Sequence, residues 1–158
     1  MYKLTKEIFV DTSMEHAWNF ISNPANLNKI TPDHMDFEII SELPDVIAEG
    51  MLLEYRMKIP LLGTQPWLSE LKHIVSGHSF VDEQRVGPYK LWIHYHGIVP
   101  TESGVKFVDR VIYEVPFGVF GKLAHALFIR KTLERVFAFR EISLQSLLPR
   151  TEKTKPND

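Results

Sequence analysis

From Met51 to Tyr113 hydrophobic and polar positions alternate residue by residue, the period of half-buried strands. Met51, Leu53, Tyr55, Met57 and Ile59 alternate with Glu54, Arg56 and Lys58. Trp67, Ser69, Leu71 and His73 then alternate with Leu68, Glu70, Lys72 and Ile74, and Phe80, Asp82 and Gln84 with Val81, Glu83 and Arg85. Gly87-Pro88 turns the chain into a run that places Trp92, His94 and His96 on one face. The run from Val105 to Val115 does the same for Phe107, Asp109, Val111 and Tyr113. With Glu102 and Ser103 as a hairpin tip beside Gly104, His96 falls opposite Asp109 and His94 opposite Val111. The other phase holds Glu54, Arg56, Lys58, Glu70, Lys72, Glu83, Arg85, Lys106, Arg110 and Glu114, a solvent face that fixes which side is inner.

The ends of the chain have other periods. Residues 2 to 10 read as a first strand. Thr12 and Glu15 match a capping box, followed by helical spacing through Met14, Ala17, Trp18, Phe20 and Ile21. Asn23-Pro24 breaks that helix, and Ala25 to Ile30 allows a further turn or two before Thr31-Pro32. From Phe120 to Leu148, with no proline and Gly121 as its only glycine, Leu123, Leu127, Leu133, Phe137, Leu144 and Leu147 predict one long helix of roughly 40 Å. The order is strand, two short helices, a meander of about six strands and a terminal helix. Such a sheet must bury its uncharged face, and only the long helix is large enough to cover it. A curved sheet around one helix leaves a cavity between them. The prediction is an α+β domain over residues 1–148, with a polar, disordered tail over 149–158.

Composition narrows the function. The chain has 158 residues, 44% hydrophobic and 24% charged, with a net charge of -2 and no cysteine. Thiolate chemistry and cysteine metal sites are excluded. The balance gives no reason to expect nucleic acid or an acidic lipid surface as partner, and the helix pair after the first strand lacks a basic recognition face. No apolar run reaches membrane-spanning length, so no integral membrane association and a cytoplasmic location are expected.

Several local sequences resemble a known superfamily. They are Asn26-Leu-Asn-Lys-Ile-Thr-Pro32, Phe80 to Tyr89, Trp92-Ile-His-Tyr-His96, Asp109 to Tyr113, Pro116-Phe-Gly118 and Phe137-Ala-Phe-Arg140. With the element order, they make the chain similar to a bacterial branch of the SRPBCC, or START-like, helix-grip superfamily, which includes birch-pollen-allergen-like and polyketide cyclase/dehydrase proteins. The resemblance implies a curved antiparallel sheet of about seven strands wrapped round a C-terminal helix. It also implies a ligand cavity between them, and it carries no catalytic set.

The candidate site is the inner face. Tyr55, Trp67, Trp92, Phe107 and Tyr113 would wall a cavity for a small, largely apolar molecule such as a lipid, quinone or polyketide-like compound. Asp82, Gln84, His94, His96 and Asp109 would be its polar points. A His-x-His strand with Asp109 or Asp82 could form an N/O-only site for zinc or iron. Histidines hydrogen-bonded to carboxylates are the simpler reading, so no metal and no cofactor are expected. A His96–Asp109 acid-base pair in a cyclase or dehydrase is the rival to simple binding, and an interaction module with a filled cavity is a third reading. Arg130 and Arg140 lie along the helix stripe and read as snorkelling or dipole-complementing residues, with pairing to Asp109 or Asp82 as the alternative. Leu61 and Leu62 at a hairpin tip could be a lid, a lipid contact or a dimer patch.

Overall fold

A computed structural model describes residues 1–44, 46–60 and 62–150. Strands β1 (Tyr2–Val10), β2 (Glu38–Ile39), β3 (Leu52–Ile59), β4 (Gly63–Val75), β5 (Ser79–Val86), β6 (Leu91–Thr101) and β7 (Gly104–Glu114) form one antiparallel sheet. Its order is β1-β7-β6-β5-β4-β3-β2, so β2 to β7 are a meander and β1 closes the far edge against β7. Helices α1 (Met14–Ile21) and α2 (Leu27–Ile30) lie between β1 and β2. Helices α3 (Gly118–Ala124) and α4 (Arg130–Leu147) are joined by a π turn, His125–Ile129.

The β6–β7 register is the one the alternation predicts. Thr101 faces Gly104, His96 faces Asp109 and His94 faces Val111. A tight tip at Glu102-Ser103 leaves no other pairing that keeps both aromatic faces inward.

Three local features differ from the sequence reading. The N-cap of α1 is Ser13, whose Oγ accepts from the His16 N–H at 3.1 Å. Thr12, the expected cap, is buried one residue earlier, and its Oγ1 has no partner among the described residues. In β4 the inward phase stops at Leu71. A register shift between Lys72 and Val75 puts His73 at φ 52 and turns it to solvent, where Glu49 accepts from the His73 and Ile74 N–H groups at 3.0 and 3.1 Å.

The third difference concerns the terminal helix. Its buried residues include Leu133, Phe137, Arg140 and Leu144, whereas Leu123, Leu127 and Leu147 are exposed. The extra residue of the π turn rotates α4 by about 100° relative to a continuous α-helix. The apolar faces of α3 and α4 therefore do not form one stripe. Leu61 and residues 151–158, which carried the rest of the tip and most of the predicted tail, lie outside the described residues.

Burial separates into three clusters. Ile8, Val10, Ile98, Val105, Phe107 and Leu144 pack beneath α1 and the end of α4. Tyr55, Trp67, Trp92, Tyr113, Leu133 and Phe137 form an aromatic group, and Ile47, Leu53, Leu71 and Phe80 a third. Charged and polar side chains gather between these clusters.

Candidate functional site

The polar residues of the inner face come from three neighbouring strands and the terminal helix. Asp82 projects from β5, His94 and His96 from β6, and Asp109 from β7, while Arg140 descends from α4. Arg140 occupies the position of the helix that continues the Leu133, Phe137, Leu144 spacing, so its guanidinium is carried into the interior. It is 7% exposed and Asp109 1%.

The hydrogen bonds run diagonally across the strand pairs. His94 Nε2 lies 2.9 Å from Asp109 Oδ1, and His96 Nε2 2.6 Å from Asp82 Oδ2. Arg140 Nε donates to Asp109 Oδ2 at 3.0 Å, and its Nη2 lies 3.4 Å from His96 Nδ1. His96 thus donates from Nε2 to Asp82 and receives from Arg140 at Nδ1, an arrangement only its neutral form can make. His96 and Asp109 are opposite in register, yet their nearest side-chain approach is 3.5 Å, and each has a closer partner elsewhere.

Charge states result from these contacts. Burial, and then the neighbouring His94, lowers the His96 imidazole to about 4 against the pull of Asp82. Burial alone would raise Asp109, but Arg140 and then the His94 hydrogen bond hold it well below the usual carboxylate range. Asp82 is also lowered, because its hydrogen bond from His96 and the nearby His94 outweigh its burial. Asp109 is thus matched by the guanidinium of Arg140, and Asp82 by its hydrogen bonds to His96 and Ser69.

The network extends toward the aromatic wall. Ser69 Oγ receives the Trp67 indole N–H at 3.1 Å, lies 3.1 Å from the Tyr55 hydroxyl and reaches Asp82 Oδ1 at 3.4 Å. Trp67 and Trp92 meet edge to face at 5.2 Å, and Tyr89 closes against both. Between this wall and α4 lies an open cavity with about 160 Å³ of free space, bounded by Tyr55, Trp67, Tyr89, Trp92, His94 and Phe137. A smaller chamber of about 60 Å³ adjoins it, with Asp82, His96 and Arg140 among the residues common to both.

No family model matches the chain, and no curated protein does. Solved structures match throughout its length. Protein TTHA0849 from Thermus thermophilus superposes at a TM-score of 0.67 with 15% identity, over 90% of this chain and 97% of that one. A START superfamily protein from Mycobacterium smegmatis gives 0.65 at 15% identity, over 93% and 99%. Ara h 8.0201 gives 0.58 at 11% identity, over 90% and 97%. The chain has the START-like helix-grip fold.

Within this helix grip the predicted site residues divide. Tyr55, Trp67, Asp82, Trp92, His94 and His96 line the cavity. Asp109 sits behind the histidines, in contact with His94 and Arg140. Phe107 belongs to the packed core beneath α1. Tyr113 turns to the π turn, its hydroxyl 2.8 Å from His125 Nε2. Gln84 clamps the β5–β6 turn, donating to the Tyr89 carbonyl at 2.7 Å and accepting its N–H at 3.2 Å. That clamp holds the Tyr89 ring against Trp67.

Sequence reading did not place Tyr89, Ser69 or Phe137 in the site, and it favoured a surface role for Arg140. The Arg140 signal was present: a charged residue at a core position of a helical apolar repeat implies a buried partner. Arg130, the other arginine considered, is exposed and pairs with Glu134 at 3.1 Å.

Asp82, His94 and His96 also offer ligand atoms within 4.8 Å of one another. His94 Nδ1 and Asp82 Oδ2, 3.4 Å apart, match the edge of about 3.3 Å expected in a tetrahedron of zinc ligands. His96 Nε2 and Asp82 Oδ2, at 2.6 Å, are instead at hydrogen-bond distance. A cation there must displace the proton between them, with Arg140 close by.

Proposed function

We propose that the protein binds and carries a small, largely apolar molecule between its sheet and α4. The observation that carries this reading is the open cavity of about 160 Å³ with aromatic walls and a polar end at Asp82 and His96. A cavity near 150 Å³ is enough to hold a single aromatic ring without rearrangement. A compact one- or two-ring compound with one polar substituent therefore fits best, its rings on Trp67 and Trp92 and its polar group on the Asp82 carboxylate, which has lone pairs to spare. Quinone-like and polyketide-like molecules belong to this class. A long acyl chain requires α4 or α2 to move outward.

Binding is favoured over acid-base turnover by the state of the histidine. An imidazole lowered to about 4 is a weak proton acceptor at neutral pH, and both of its nitrogens are engaged. The two adjoining cavities weigh against an interaction module with a filled interior.

Titration with 2-naphthol, a flat bicyclic compound with one hydroxyl, tests the reading through tryptophan fluorescence. Saturable quenching at one equivalent, abolished by Trp67→Ala, is expected. Quenching that is linear in concentration, or unchanged in that variant, contradicts it.

A further inference from the structure

The most exposed apolar surface of the molecule lies outside the cavity, on α3 and the turns flanking it. Phe117, Val119, Phe120, Leu123, Leu127 and Phe128 are all exposed, Phe120 by 81% and Phe117 by 73%. Large apolar side chains clustered in water on one short stretch mark a contact surface. Phe117 adds a second observation. It holds φ 66, a left-handed conformation that is strained for an aromatic residue, while its ring packs against little of the protein. The fold therefore keeps this ring in solvent at a cost that internal packing does not offset.

Charge says what the surface meets. The chain as a whole is slightly acidic, but between Glu114 and Glu134 there is no acidic residue, and Lys122, Arg130 and Lys131 occur there. Lys90 lies beside this stretch, paired with Glu114 at 2.7 Å. Lys122 and Lys131 are left to rim the exposed rings with positive charge. Aromatic and aliphatic residues surrounded by lysine and arginine fit the interface of an anionic lipid bilayer.

Position gives the surface a use. Leu62, at the β3–β4 tip, joins Phe117 and Phe128 around an apolar groove. Ile59, Pro60, Tyr89 and Thr132 line both that groove and the internal cavity. The groove beside the exposed face thus borders the cavity.

We infer that α3 and its flanking turns dock the protein reversibly on anionic lipid bilayers, with Phe117, Phe120 and Leu123 entering the interface and Lys122 and Lys131 meeting lipid phosphates. No helix among the described residues is long and apolar enough to cross a membrane, and none is needed for contact of this kind. The docking stands whether or not the cavity holds a ligand.

Co-sedimentation of the full chain with phosphatidylglycerol vesicles, against phosphatidylcholine vesicles, tests it. Roughly tenfold or more preference for the anionic vesicles is expected, weakening at high salt. Phe120→Ser, far from the cavity and exposed, should lower binding about tenfold without changing the circular dichroism spectrum. Lys131→Glu should remove the preference for anionic lipid. The inference is overturned if neither vesicle retains the protein or if Phe120→Ser binds like the parent. Sedimentation velocity showing a dimer that Phe120→Ser dissolves also overturns it, because a second copy then covers the face.

Discussion

At the scale of single residues, Arg140 determines whether the interior is tolerable. Its guanidinium bonds Asp109 at 3.0 Å, and Asp109 is almost wholly buried. Arg140→Met keeps the volume and removes the charge, so stability should fall by roughly 3–5 kcal/mol in urea titration. Adding Asp109→Asn should restore part of that loss, since the stranded charge is removed. If the single variant unfolds at the parent's urea concentration, the guanidinium is not the counter-charge described. The same network fixes the response to acid. His96 is lowered from 6.5 to about 4, so below pH 6.5 the unfolded chain takes up a proton that the folded chain refuses. Its contribution, about 3 kcal/mol from the shift, is present above pH 6.5 and is lost as pH falls toward 4. Asp82 and Asp109, both lowered, extend the loss below that. His96→Gln should flatten the decline between pH 6.5 and 4, and a curve as steep as the parent's would contradict the assignment. Zinc should leave the thermal midpoint unchanged, because the His96–Asp82 hydrogen bond occupies the would-be ligand pair; a rise of several degrees would contradict this.

At the scale of elements, period alone carries far and then stops at irregularities. The two-residue alternation placed the β6–β7 register, because a one-residue slip would put charged residues inside. It did not reveal that the histidines bond diagonally, since side-chain reach across a pleated pair depends on rotamers rather than register. It missed the outward turn of His73, which results from a bulge with no sequence marker of its own. The π turn at His125–Ile129 is the same kind of miss: the apolar spacing from Leu123 to Leu147 looks continuous, but the inserted residue rotates the two faces apart. Gly121 shows how tightly α3 is set on the turn that follows β7. A Cβ there would collide with the Pro116 carbonyl oxygen, a backbone atom. Gly121→Ala should therefore lower the thermal midpoint by several degrees, although alanine is the better helix former by about 1 kcal/mol. An unchanged or raised midpoint would show that α3 can shift away.

At the scale of the whole molecule, the helix grip was legible from the order strand, short helices, meander, long helix, and the cavity from the mismatch between a curved sheet and one helix. The walls were legible where they sit on long strands, as with Tyr55, Trp67 and Trp92. They were not where they sit on a turn, as with Tyr89, or where a neighbouring core claims an inward residue, as with Phe107. The proposed binding of a ligand with one polar group accounts for why charged residues are kept in the interior at all. The most direct measurement is native mass spectrometry of the protein purified from its own host under mild conditions. A bound molecule of one or two rings, lost from Trp67→Ala, is expected. Protein that emerges at its bare mass, and takes up no such compound when one is added, would contradict it.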